Sequence, residues 1–288
     1  MQVPKFGSRK DPKNELGCIY LNYYKMNHII NKDSKEALKE LESDSIQLTV
    51  TSPPYDNIRD YNGFSFTIED FKIIAIELFR VTKPGGIVVW IVGDSTTNGS
   101  ESGTSFKQAL GFMEVGFKLH DTMIYEKNTS SFPARKGGNR YTQIFEYMFV
   151  LSKGKPRVAN LICDKPNKWA GHTNWGKNTE RAKDGVLKET SDIKPVPEFS
   201  PRNNIWKYTV GKGFNSSDAE SHKHPAIFPE KLAEDHILSW SNEGDTILDP
   251  FCGSGTTCKM AKKNKRSYIG IDVSEEYCLL AETIISKY

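Results

Sequence analysis

The sequence predicts an α/β fold: a mostly parallel sheet with helices on both faces, and an irregular lobe inserted into it. Three observations lead there. An apolar run, Thr246-Ile247-Leu248, passes into Asp249-Pro250-Phe251-Cys252-Gly253-Ser254-Gly255-Thr256-Thr257 and then into a helical pattern. Strand, glycine turn and helix N-terminus form a nucleotide-sized cradle, because glycine admits close backbone approach and free N–H groups favour an anion. A second run, Tyr268-Ile269-Gly270-Ile271, ends in Asp272, at the strand tip where a ribose diol is hydrogen-bonded in such folds. Finally, Phe71, Ile74, Ala75, Leu78 and Phe79 recur at helical spacing between the apolar runs 46–50 and 87–92, which reads as a parallel crossover.

Length and composition set bounds. A chain of 288 residues accommodates one large α/β domain with an insertion. The net charge of +3 is too small to argue for nucleic acid by itself. Five cysteines (18, 163, 252, 258 and 278) are scattered without a C-x-x-C pair, which speaks against a disulfide framework or a zinc knuckle. No apolar run approaches the ~18 residues of a membrane span. The expectation is a reduced, cytoplasmic protein without a membrane partner.

Along the chain, residues 1–17 read as a basic flexible arm, with Lys5, Arg9, Lys10 and Lys13. Residues 19–30 suggest a strand or hairpin, and Asp33 with Glu36 suggests a capping box opening a short helix. Thr67 opens the clearest helix, and Lys83-Pro84-Gly85-Gly86 stops it. Phe106, Ala109, Leu110 and Met113 mark another helix, and residues 118–125 and 144–151 two further strands. From 153 to 222 periodicity disappears, and Lys, Arg, Asn and Pro mix with Trp169, Trp175, Trp206 and His172. Order returns at Pro229, a good first helical residue, and a final helix carries Tyr277, Leu280, Ala281, Ile284 and Ile285. The expected division is a catalytic domain of residues 18–152 and 223–288 around a lobe of residues 153–222.

The second anchor is Thr51-Ser52-Pro53-Pro54-Tyr55, directly after the run 46–50. Two prolines cannot continue a sheet ladder, so the chain turns away at the sheet's carboxyl edge, where ligands bind in open α/β sheets. A hydroxyl, a free carbonyl and an aromatic plate could there grip an exocyclic amine and its ring. The same residues also suit a plain strand-ending corner with a packed tyrosine.

A strand ending in T-S-P-P-Y, followed by R-V-T-K-P-G-G and later by D-P-F-C-G-S-G-T-T, resembles the amino-methyltransferases that modify DNA bases with S-adenosylmethionine. With the catalytic segment first and the cofactor turn last, the order is similar to that of the family's β group. The resemblance covers residues 31–152 and 223–288 and implies a Rossmann-like methyltransferase fold with circularly permuted motif order. It implies a catalytic loop of Ser52, Pro53, Pro54 and Tyr55. Asp249, Pro250, Phe251, Gly253, Ser254, Gly255 and Thr256 would line the methionine end of the cofactor, and Asp272 its ribose. His224, Pro225 and Phe228 belong to a further cofactor-lining segment, and Asp33 stands where an acid approaches the adenine, though it suits a plain helix cap equally.

The resemblance further implies extrusion of the target base from duplex DNA and direct in-line transfer to its amino group. Family members acting on adenine mostly carry Asp at the first position of the tetrapeptide, and Ser is commoner for cytosine N4. Ser52 therefore favours cytosine N4 over adenine N6. Cytosine C5 chemistry would need a cysteine preceded by proline, which no cysteine here has. The lobe is expected to read the target, with Lys168, Trp169, Trp175 and Arg202 joined by Arg135, Lys136 and Arg140 as DNA-contact candidates. Expected partners are duplex DNA and a cognate restriction endonuclease, with the chain a monomer or homodimer. Competing readings are a silent DNA-binding homologue, an enzyme acting on RNA or protein, a dinucleotide oxidoreductase and a phosphate-loop hydrolase. The last two lack their glycine and lysine signatures.

Overall fold

A computed structural model of the chain describes residues 26–54, 66–129, 140–173, 179–189, 194–211, 213–224 and 227–288. Tyr55, Arg135, Lys136, Trp175, Pro225 and the N-terminal arm lie outside the described residues. The strands are β1 (His28–Asn31), β2 (Ile46–Thr51), β3 (Thr82–Val92), β4 (Thr96–Thr97), β5 (Ser100–Glu101), β6 (Lys118–Lys127), β7 (Phe145–Ser152), β8 (Lys165–Pro166), β9 (Thr179–Arg181), β10 (Leu187–Glu189), β11 (Phe199–Ser200), β12 (Ile205–Tyr208), β13 (Thr246–Asp249) and β14 (Ser267–Asp272). The helices are α1 (Ser34–Glu40), α2 (Ile68–Val81), α3 (Thr104–Val115), α4 (Glu230–Trp240), α5 (Thr256–Lys263) and α6 (Glu275–Ile285). Eight strands form one sheet in the order β1-β14-β13-β2-β3-β7-β6-β12. All neighbours pair in parallel except β7, which runs antiparallel to β3 and β6.

Helices cover both faces, and β3 shows why. Ile87, Val89 and Ile91 point into a core closed by Leu232, Ile237, Ala261 and Ile285 of α4, α5 and α6. Val88, Trp90 and Val92 point into the opposite core, with Leu38, Phe71, Leu78 and Phe112 of α1, α2 and α3. A strand apolar on both faces is what a doubly covered parallel sheet requires.

Several local expectations shift. Asp33 caps α1 by accepting from the Lys35 N–H at 2.8 Å, but Glu36 pairs with Lys39 and no capping box closes. The box forms instead at Thr67 and Asp70, opening α2. Pro229 is the cap of α4 rather than its first helical residue. On α3 the apolar set read from the sequence divides: Ala109 is buried, but Phe106, Leu110 and Met113 are exposed, and Ser105, Gln108 and Phe112 are buried in their stead. Gln108 is drawn inward because its Oε1 accepts from the buried Trp90 Nε1 at 2.8 Å.

The inserted lobe is not separate from the sheet. Its short ribbons β8–β11 and β9–β10 stand apart, but β12 extends the main sheet beside β6. Trp206 and Tyr208 of β12 are buried in the core closed by α4.

Candidate functional site

The site lies where β2, β13 and β14 end side by side. Registers Leu48↔Ile247 and Leu248↔Ile269 align the three strands, so their following residues leave the sheet at one edge. The Thr51 hydroxyl donates to Asp249 Oδ1 at 2.6 Å, tying the T-S-P-P corner to the glycine turn. The same oxygen accepts the Phe251 N–H at 3.1 Å, and the Thr257 hydroxyl donates to the Val50 carbonyl at 3.0 Å. Burial raises the Asp249 carboxyl to about 6, against the pull of these donors. Ser34, the first residue of α1, donates to the Pro250 carbonyl from the other side. None of these cross-links between Thr51, Thr257, Ser34 and the turn stood among the predicted site residues. The only signal for them is the hydroxyl residues flanking each motif.

The turn itself is built by two glycines with different duties. Gly253 and Gly255 both adopt positive φ, +49° and +82°. A Cβ on Gly253 would stand 2.7 Å from His224 Nε2, so the turn and His224 pack directly. His224 also meets the Tyr277 ring edge-on at 4.5 Å. A Cβ on Gly255 would stand 2.9 Å from that of Ala281, so this glycine serves α5–α6 packing. Cys252 is buried, which pushes its thiol well above the usual range and leaves it inert as a nucleophile.

Asp272 bridges the strand tip to the turn. Its carboxylate accepts the Gly253 N–H and the Ser274 N–H, each at 2.9 Å. Each oxygen retains acceptor capacity for a further hydroxyl. Partial burial raises its carboxyl. Phe251 points to the other side of the turn, edge-on to Phe66 at 5.3 Å and to Trp90 at 6.1 Å. Ser254 and Thr256 are buried at the start of α5, and Phe228 packs against the core beneath. The cradle therefore combines close backbone approach, a helix N-terminus without a side-chain cap and a carboxylate at the neighbouring strand tip. That donor and acceptor set fits S-adenosylmethionine.

Among the DNA-contact candidates, the described residues divide. Lys168 lies over the exposed Trp169 ring at 5.5 Å, an accessible cationic and aromatic pair. Arg140 donates to the Gly99 carbonyl and stands 3.8 Å from Glu101. Arg202 is instead committed internally: it binds Asp164 and, at 2.7 Å, the buried Asp235. Asp235 also holds Lys231 at 2.9 Å and the Tyr208 hydroxyl at 2.8 Å, so Arg202 is one of three groups on this carboxylate and ties the lobe to α4.

A family of DNA methylases matches residues 46–283, spanning both anchors of this site. The chain belongs to that family. Methylases related to it include the orphan methyltransferase M.BamHII of Bacillus amyloliquefaciens, 55% identical over 244 residues, 85% of this chain and 90% of the relative. The type II methyltransferase M.SmaI of Serratia marcescens is 26% identical, covering 90% of each chain. The methylase fold is shared with the solved DNA modification methylase TTHA0409 of Thermus thermophilus, complexed with S-adenosyl-L-methionine, at TM-score 0.61 and 24% identity, covering 91% of this chain and 93% of that one. It is shared too with the cytosine-N4-specific PvuII DNA methyltransferase, at TM-score 0.61 and 20% identity, covering 90% of this chain and 89% of that one. The methylase is an S-adenosylmethionine-dependent enzyme of DNA.

Proposed function

We propose that this methylase transfers a methyl group to the exocyclic N4 of cytosine in a specific sequence of duplex DNA. The observation that supports methyl transfer at this corner is the Thr51–Asp249 hydrogen bond, which ties the corner of Ser52, Pro53 and Pro54 to the glycine turn; the choice of N4 rests on Ser52. When bound, S-adenosylmethionine would supply an electrophilic sulfonium methyl, whose bond to sulfur breaks as the bond to nitrogen forms, leaving the neutral thioether S-adenosylhomocysteine. An aromatic amine is a poor nucleophile because its lone pair is delocalised into the ring. Acceptors at Ser52 and the Pro53 carbonyl are assigned to hold its two hydrogens, favouring a pyramidal nitrogen and orienting its lone pair for in-line attack. One of those protons then leaves to solvent. The base reaches the corner by extrusion, with Tyr55 as the stacking plate. Asp272 is assigned to the ribose, and His224, Phe228 and the 249–256 turn to the remainder of the cofactor. Ser52, rather than an acid, supports cytosine over adenine. The relatives divide on a cognate endonuclease as partner: M.SmaI is a type II methyltransferase, which supports one, whereas the more similar M.BamHII is an orphan.

Nucleoside analysis of unmethylated genomic DNA treated with the protein and labelled cofactor tests the reading. N4-methylcytosine is expected; N6-methyladenine would overturn the choice of base. No incorporation, with cofactor binding intact, would make the chain a silent binder. Tyr55→Ala is expected to cut transfer while leaving cofactor affinity unchanged, and Asp272→Ala to weaken cofactor binding first.

A further inference from the structure

A cleft of about 370 Å³ opens beyond the carboxyl end of β3, lined from the start of α2, the residues after β3 and the start of α3. Thr51 is in register with Trp90, so Ser52–Pro54 and the residues after Val92 leave the sheet side by side. The chain after β3 folds back as a hairpin, β4–β5, through Asn98 and Gly99, both at positive φ. Asp94 clamps the base of that hairpin: it accepts from the Ser102 hydroxyl at 2.9 Å, the Ser105 N–H at 2.9 Å and the Ser105 hydroxyl at 2.5 Å. The cleft lies between this hairpin, the start of α3 and Phe66, whose ring touches Phe251 of the turn.

The lining chemistry is one-sided. Thr97 and Thr104 carry hydroxyls, and Gln108, whose Oε1 accepts from Trp90, carries an N–H₂ donor. Lys107 is the cation of the cleft, with no ion pair among the described residues, and no described carboxylate belongs to the lining. The acids around it are answered elsewhere: Asp94 by its three donors, Asp70 by Lys35 at 2.5 Å, Glu101 by Arg140. A lysine among hydroxyl and amide donors is the set that proteins direct at DNA phosphates. The volume, within the ~300–1,000 Å³ of small-ligand clefts, admits a phosphodiester with its sugar rather than a bare ion.

We propose that this cleft seats a backbone phosphodiester of the target strand next to the extruded nucleotide, with Lys107 as its charged contact and the β4–β5 hairpin as its wall. The proposal rests on DNA being the substrate. Seating the phosphate there fixes the strand's register relative to Ser52, the role that phosphate contacts have in base-modifying complexes.

The test compares wild type, Lys107→Ala and Lys107→Arg on a duplex carrying the sequence that genomic mapping of the methylated base identifies. Binding is measured by anisotropy over a range of salt, and cofactor affinity by calorimetry. Lys107→Ala is expected to reduce the salt slope of log K by about 0.9, one phosphate contact. Lys107→Arg should restore the slope, and cofactor affinity should stay constant in both. An unchanged slope in Lys107→Ala overturns the proposal while wild-type methylation stands. Loss of cofactor affinity in Lys107→Ala overturns it too, by assigning the cleft to the cofactor's carboxylate. Wild type failing to bind any duplex overturns both this proposal and the reading it rests on.

Discussion

At the scale of the residue, Asp249 has more to do than line a ligand. Its Oδ1 collects the Thr51 hydroxyl and the Phe251 N–H, one from each motif, and its side chain is buried. Asp249→Ala leaves the buried Thr51 hydroxyl without a partner, at about 1–3 kcal/mol, and the half-buried Phe251 N–H at less, offset in part by removing a buried carboxyl. A net loss of about 2 kcal/mol in urea unfolding is expected; a neutral result would mean that the two loops are held by packing alone. Asp249 could be read from the sequence as a site residue because it opens the glycine motif. Its partner could not, because Thr51 lies almost two hundred positions earlier and only the β2–β13 pairing brings them together.

At the scale of the element, the glycine turn and its two helices form one unit. Gly255 caps α5 at φ +82°, with α6 packed on its Cα. Gly255→Ala meets both a left-handed backbone, unfavourable by ~1–2 kcal/mol, and the Ala281 side chain. The expected result is a melting temperature lowered by several degrees and a weaker cofactor affinity. A silent Gly255→Ala would show that α6 moves aside freely. The helix α3 gives the converse lesson. Its existence was legible from period, but its orientation was not: one buried hydrogen bond, Trp90 to Gln108, together with Phe112 in the core, turns Phe106, Leu110 and Met113 outward.

At the scale of the whole molecule, two fully buried groups oppose each other in acid. His236, beside Trp206 at 4.7 Å, is driven down to about 3 by burial, from an ordinary value of 6.5. The unfolded chain binds that proton first, so the stability contributed is present above pH 6.5 and lost as pH falls toward 3. Asp249 has the reverse sign: raised from 3.8 to about 6, it contributes stability that is present below 3.8 and lost as pH rises through 6. Between those limits the two slopes have opposite sign. Asp249→Asn removes the acid-favouring one, so its loss of stability between pH 6 and 4 is expected to be steeper than that of wild type, by about 1.4 kcal/mol per pH unit. Denaturant midpoints across that range check it; parallel curves would show that Asp249 is charged in the native state.

The amino-acid order alone was enough for the sheet-and-helix class, the strand–turn–helix cradle, the Pro-Pro corner and the permuted order of the two. Each of these is local, set by side-chain period and by what glycine and proline allow the backbone to do. It took the folded arrangement to settle that β12 of the lobe completes the main sheet, that Arg202 serves Asp235 rather than the solvent side, and that a hydroxyl-lined cleft opens beyond the carboxyl end of β3. Those outcomes depend on which distant strands become neighbours. A charge or a tryptophan in an aperiodic stretch carries no local mark of whether it will meet water or a buried partner.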